Sequence, residues 1–341
     1  MTAPVAAPAP SRAVREAVPT GPRMQKTLPR IVRVAVAAGL TGYMLWLSRP
    51  REVYAVAAGA DWRLVGVAVV LVLVDRVLMA YRWVVLLYTA DATSRPPLTA
   101  VLRIFFISTF VGTFLPSVGG DALRAYSITK FQVRGGDAVA SVFMDRMLGV
   151  ASILVMALGG LLLARNLARD GVILVSLAAA GAACVVTLVL VFSQRAVDAA
   201  RKLLARWPDS VSQAGDRLLA AIRRYSAHHR QLVNVLLCSV AVQTLRIFQA
   251  YFLGRSLGIE ASMSTYFAVL PLILLVMLLP VTISGLGTGQ AAFLWFFARF
   301  GVLPAPAFAL SVLFIGLAVV GNLPGGVLYA LGAEDRGAGR I

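Results

Sequence analysis

Leu115-Pro116-Ser117-Val118-Gly119-Gly120-Asp121 interrupts an apolar stretch that runs from about residue 100 to 128. A second interruption, Leu279-Pro280-Val281-Thr282-Ile283-Ser284-Gly285-Leu286-Gly287, divides the stretch 264–300. Proline has no N–H to donate and glycine pairs end helices, so each stretch is predicted to be two half-helices joined by irregular backbone. Inside a bilayer such backbone is tolerated only where protein or a watery cavity covers its polar groups. The breaks at Pro116 and Pro280 therefore predict a folded membrane interior rather than a row of simple spans.

The rest of the chain fits that setting. Of 341 residues, 59% are hydrophobic and 14% charged, against about a quarter charged in soluble domains. Mean hydropathy is +0.82, which excludes an ordinary water-soluble fold. Apolar runs long enough to span lie at about 31–47, 64–87, 138–164, 171–192, 231–254 and 305–331. The expected fold is an all-α polytopic membrane protein with about six full spans and two re-entrant broken helices. Residues 1–30 are rich in Ala, Pro and Arg and read as a disordered tail, 31–332 as one transmembrane domain, and 333–341 as a second tail. The first apolar run begins too late for a cleaved signal peptide and is expected to remain as an anchor.

Thirty-two Lys+Arg against 15 Asp+Glu give a net charge of +17. In a soluble chain that surplus points to nucleic acid; here it orients the spans, and no nucleic-acid partner is expected. Lys and Arg in short loops mark the cytoplasmic side. They concentrate in the tail (Arg12, Arg15, Arg23, Lys26, Arg30, Arg33) and in 193–230 (Arg195, Arg201, Lys202, Arg206, Arg217, Arg223, Arg224, Arg230). Both segments fall on one side only if 100–128 dips in and returns, which also keeps Arg124, Lys130 and Arg134 on that side. By the same count 264–300 dips in from outside, and both termini are cytoplasmic. The order span, re-entrant pair, span then occurs twice with opposite orientation, in halves of about 31–192 and 231–332. Setting Pro116 on Pro280 also brings Ser141-Val142-Phe143 near Ser311-Val312-Leu313. An inverted repeat with interrupted helices in matching positions is a transporter arrangement whose substrate site lies at the breaks.

Ionisable residues inside spans are costly and are functional candidates by default. They are Asp75, Arg76, Asp121, Arg124, Asp145, Arg146 and Arg246. Neighbours on a helix point about 100° apart, so Asp75 and Asp145 are expected to pair across helices, Asp145 with Arg76 or Arg124. Asp121 and Arg124 share one face of the half-helix after Gly119-Gly120, and Asp121 either caps that helix or pairs with Arg124. Arg82 beside Trp83 is expected to snorkel to the headgroups. Gly119 and Gly120 open one half-helix, and Ser284, Gly285, Gly287 and Thr288 open another. Helix N-termini offer free N–H groups and partial positive charge, and glycine lets backbone approach a ligand. With Arg124, Arg146 and Arg246 nearby, an anionic lipid headgroup is the expected ligand.

No soluble catalytic domain fits the loops. The longest, 193–230, reads as two amphipathic helices split at Pro208, with Val197, Leu203, Leu204 and Trp207 on one and Leu218, Leu219, Ile222 and Tyr225 on the other. Their basic opposite faces predict helices lying on an anionic cytoplasmic leaflet. His228 and His229 read as surface residues, and Cys184 and Cys238 as buried hydrophobes, so no metal or other cofactor is expected. Gly285-Leu286-Gly287-Thr288-Gly289 follows a hydrophobic helix rather than a strand and lacks the context of a nucleotide site.

The run from Phe110 to Tyr126, with Leu115-Pro116 and Gly119-Gly120-Asp121-Ala122-Leu123-Arg124, then Val142-Phe143-Met144-Asp145-Arg146-Met147-Leu148-Gly149, then Pro280 with Ser284-Gly285-Leu286-Gly287, resembles the flippase-like transmembrane domain of lysylphosphatidylglycerol synthases. Arg82-Trp83 fits it as well, and the resemblance covers roughly 30–332. It implies an inner-membrane protein of bacteria that moves a lipid between leaflets. In bifunctional members a separate domain makes the aminoacylated lipid; that domain is not seen before Ile341, so aminoacyl transfer is not carried over and no catalytic residue is expected. Stand-alone members have been associated with other envelope lipids. The expected function is accordingly a non-enzymatic flippase for an anionic or modified lipid, whether phospholipid, hopanoid or lipid-linked glycan. The alternative is a membrane subunit or enzyme of lipid or envelope glycolipid synthesis, and a lipid-synthesising enzyme is a candidate partner.

Overall fold

The computed structural model describes residues 50–90, 95–115, 119–163, 171–206, 208–278 and 287–331, together with Tyr43 and Trp46. Among them the chain is helical and has no strand. The elements are α1 (Pro50–Ala58), α2 (Trp62–Ala90), α3 (Leu98–Phe114), α4 (Gly119–Thr129), α5 (Gly135–Leu163) and α6 (Gly171–Phe192). They are followed by α7 (Gln194–Leu204), α8 (Asp209–Arg224), a 3-10 turn (Tyr225–Ala227), α9 (His229–Ser256), α10 (Met263–Leu278), α11 (Thr288–Ala298) and α12 (Pro304–Ala330).

Four helices, α2, α5, α9 and α12, are long and apolar enough to cross a membrane. They occupy four of the expected spans, with ends within three residues of those expected. Helix α6 fills the expected 171–192, and its long axis turns by 98° into α7. The predicted span at 31–47 lies outside the described residues, apart from Tyr43 and Trp46, which are helical.

Both interrupted stretches form two helices, as the prolines and glycines predict. Pro116 and Pro280, with Ser284 and Gly285, lie outside the described residues. Helices α3 and α4 fold back on each other: Gly120 meets Gly112, and Arg124 reaches Ser108 and Thr109, so the register runs antiparallel. The closeness explains the glycines. A Cβ on Gly120 would sit 2.8 Å from Gly112 Cα and 2.9 Å from Ser108 O, and one on Gly119 would strike Leu115. Glycine at 120 thus serves the hairpin's own close backbone contact, and glycine at 119 clears the Leu115 side chain. Helices α10 and α11 form the second hairpin, with Tyr266 against Phe297 (5.2 Å between rings) and Met277 beside Gly289. Gly287 precedes α11 at φ +84°, a region L side chains rarely adopt, and Gln290 Oε1 accepts its N–H.

The packing is reciprocal. Helix α2 lies along α9; α5 packs on α10 and α12 on α3; α4 packs on α5 and α11 on α12; α9 touches α5 and α2 touches α12. Glycines permit the closest approaches. A Cβ at Gly160 in α5 would sit 2.6 Å from Phe267 O of α10, and one at Gly325 in α12 would overlap Phe106 O of α3. Gly325→Ala is therefore expected to destabilise the fold by about 1–3 kcal/mol or more through overpacking, read as a lower unfolding temperature in detergent. Gly316→Ala, where nothing lies within 4 Å, should leave it unchanged.

Helices α7 and α8 form on either side of Pro208, as predicted. The apolar face of α8 does not rest on a leaflet, however. Leu219, Ile222 and Tyr225 are buried against the bundle, Ile222 and Tyr225 in a cluster with Leu86 and Ala90 of α2 and Ala140 and Met144 of α5. Protein covers this stripe because the ends of α2 and α5 present a complementary apolar surface. The Tyr225 hydroxyl donates to Leu86 O at 2.9 Å, and burial pushes its phenol above the ordinary value, keeping it a neutral donor.

Candidate functional site

A cleft of about 250 Å³ opens where the α3–α4 hairpin meets α5 and α12. Its polar wall carries Ser108, Thr109 and Thr113 from α3, Asp121 and Arg124 from α4, Arg146 from α5 and Asn322 from α12. Its other wall is apolar: Met79, Met277, Phe314, Ile315 and Val319. Arg146 stands twelve residues into its helix (135 to 146), about 17 Å of rise from the helix start, so the cleft opens near the middle of a helix long enough to cross a membrane.

Two charge clusters surround this cavity, and they differ in exposure. The first is a buried set centred on Asp145. Arg82 donates to the Asp145 carboxylate at 2.7 Å and to its main-chain oxygen at 2.8 Å, while Arg124 Nη1 stands 3.8 Å from the other carboxylate oxygen. Arg124 also bonds Ser108 Oγ (3.2 Å) and Thr109 Oγ1 (3.1 Å) and lies over the rings of Phe105 and Trp83. Joined to it through the cleft wall is the pair Arg146–Asp121. Arg146 binds Asp121 bidentately, at 2.7 and 2.9 Å, and its side chain is 53% exposed with Asp121 at 13%. Among the described residues of the two clusters, this pair is the one in the cleft lining with a largely exposed charged side chain.

The second cluster joins α2 to α9. Asp75 accepts from Arg76 at 2.7 Å and from Arg246 at 3.3 Å. Arg76 reaches Ala318 O of α12, and both guanidiniums contact Met79 Sδ at 3.3 Å. Met79 also lines the cleft. Among the described residues these two clusters hold Arg76, Arg82, Arg124, Arg146 and Arg246 against Asp75, Asp121 and Asp145, five against three, a surplus of two positive charges.

Most of the predicted site residues converge. Gly120, Asp121, Arg124 and Arg146 line the cleft, Gly119 opens the same helix, and Asp145 braces the arginines from behind. Arg246 belongs to the second cluster, outside the cleft's lining, and touches it through Met79. Gly287 and Thr288 start α11 and are not among the cleft's lining.

Several expected pairings differ. Asp75 does cross to Arg246, yet it also binds its neighbour Arg76, because a long guanidinium stem folds back over the turn that separates the Cβ vectors. Arg82 does not snorkel; it is buried because Asp145 on α5 offers a closer partner than the headgroups. Asp121 selects Arg146 rather than Arg124 or its own helix end, since Arg124 is turned towards α3. Ser108, Thr109, Thr113 and Asn322, the last two joined at 2.8 Å, also line the cleft without carrying a charge that marks them in the sequence. The four-residue step from Thr109 to Thr113 was their one visible signal, a polar stripe on an otherwise apolar half-helix.

Among the described residues no group of three His, Cys, Asp or Glu side chains could hold a metal ion. The family described as Lysylphosphatidylglycerol synthase TM region matches residues 30–325. No curated protein matches the chain.

Proposed function

We propose that this chain, which belongs to the lysylphosphatidylglycerol synthase TM region family, is a non-enzymatic lipid translocator that carries an anionic headgroup through the cleft between leaflets. The observation that carries the reading is the partly exposed Arg146–Asp121 pair, set near the middle of a span-length helix beside a surplus of two positive charges. A phosphate exchanged for Asp121 on the Arg146 fork would find bidentate geometry. The apolar wall of Met79, Met277, Phe314 and Ile315 suits the glycerol and first methylenes of the same lipid, while its tails stay in the bilayer.

The two halves act as an inverted repeat, with α2 to α5 matched to α9 to α12. The reciprocal packing of α5 on α10 and α12 on α3 supports this, and so do Ser141 and Ser311, each buried and each donating to the carbonyl three residues earlier. Rocking of one half against the other about the α2–α9 contact would expose the cleft to each leaflet in turn. The end of the bundle that carries Arg95, Lys130, Arg134 and the basic α7–α8 segment faces the cytoplasm of a bacterial inner membrane. A monoanionic lipid leaving that side gains about 2.3 kcal/mol per 100 mV of inside-negative potential, so transport needs no nucleotide.

Leaflet-resolved lipid analysis of cells with and without the chain tests this reading. One anionic lipid class is expected to shift between leaflets when the chain is absent, at unchanged total amount. A changed total with unchanged distribution would instead make the chain a subunit of lipid synthesis.

A further inference from the structure

A second cavity, of about 500 Å³, lies away from the cleft at the junction of α5 and α8, lined by Arg134, Gly135, Gly136, Asp137, Arg217 and Arg224. Three arginines there face one carboxylate. Buried Asp137 takes Arg134 at 2.9 Å and also pairs with Arg224, whose Nε bonds Ala90 O at the end of α2. Arg217 is exposed on α8 and forms no ion pair among the described residues. The lining therefore keeps a net charge of +2, three positive against one negative.

The level of this cavity is set by helix length. Helix α5 has 29 residues, about 43 Å of rise, which matches a bilayer including its headgroup layers rather than the roughly 30 Å hydrocarbon core. Its first residues, Gly135 and Gly136, thus stand at phosphate depth. A Cβ on Gly135 would meet no atom within 4 Å, so the space before the helix start is open. Asp137 holds Arg134 and Arg224 in place at the cavity wall, beside Arg217. Phosphate oxygens match several guanidinium forks at once.

From this arrangement we infer that Arg134, Arg217 and Arg224 form a phosphate-binding site for an anionic phospholipid headgroup of the adjoining leaflet. A lipid bound there ties α8, and with it the segment joining the two halves, to α5 and the membrane. It is separate from the cleft and stands whether or not the cleft moves lipid.

Native mass spectrometry of the full chain in detergent, titrated with short-chain phosphatidylglycerol or phosphatidylcholine, tests the site. The titration is run in the wild-type and Arg146→Ala backgrounds, which separates it from the cleft. Arg217→Gln is expected to weaken phosphatidylglycerol binding by about five-fold and Arg217→Glu by more, in both backgrounds, with phosphatidylcholine unaffected. An exposed position on α8 should tolerate both changes, and an unaltered unfolding temperature verifies it. Millimolar inorganic phosphate should fail to displace the lipid; complete displacement would replace the lipid with a free phosphate compound as the ligand. Unchanged phosphatidylglycerol binding in the folded Arg217→Glu protein would overturn the site. No effect of Arg146→Ala alone would count against the cleft and leave this inference intact.

Discussion

Arg146→Ala is expected to abolish transbilayer lipid movement by the reconstituted protein while leaving the fold intact. Its side chain is 53% exposed, so the surroundings lose little packing on its removal. Binding is different. A charge-assisted hydrogen bond to a desolvated phosphate contributes about 1.5–3 kcal/mol, so loss of the fork should slow movement at least about ten-fold. Arg146→Lys keeps the charge but not the bidentate geometry and should retain partial rate. A rate for Arg146→Ala equal to wild type would remove the fork from the mechanism. Asp121→Asn separates the roles further: it frees Arg146 and should raise affinity for an anionic lipid, measured as a lower half-saturating concentration.

Asp145→Ala is expected to act on the fold instead. Asp145 is the shared counter-ion of Arg82 and Arg124, and the three side chains are 4–6% exposed. Its removal leaves two guanidiniums buried without compensation, at a cost of about 3–5 kcal/mol. The variant should accumulate poorly and unfold at a distinctly lower temperature than wild type. Arg82→Ala should follow it, since it strips Asp145 of its 2.7 Å partner. Wild-type stability in both variants would mean that the set is dispensable for folding. This contrast between a structural set around Asp145 and an accessible pair at Arg146 is invisible in the sequence, where Asp145 and Arg146 are adjacent.

What was legible followed from local rules. Proline and paired glycines at 116–120 and around 280–287 forecast two broken stretches, and the structure divides both into antiparallel helices. Uninterrupted apolar length forecast α2, α5, α9 and α12, and charges within spans flagged Asp121, Arg124 and Arg146 of the cleft. Partner choice was not legible, because it depends on which helices the fold brings together. Arg82 looked like a headgroup anchor until α5 supplied Asp145, and the amphipathic α8 looked like a membrane-surface helix until α2 and α5 covered its apolar face. Side-chain reach also misled: a helical step of 100° does not part Asp75 from Arg76 when the guanidinium stem is long. Thr113 and Asn322 carry no charge to draw attention, and only the cleft shows their use.

The most direct measurement is transbilayer movement of tail-labelled lipids in vesicles that contain the purified chain, followed by quenching of the outer-leaflet label. Phosphatidylglycerol is expected to exchange between leaflets faster than in empty vesicles, and faster than phosphatidylcholine in the same vesicles, with an inside-negative potential driving it outward. Movement of anionic lipid no faster than in empty vesicles, with and without an imposed potential or ion gradient, would contradict the account.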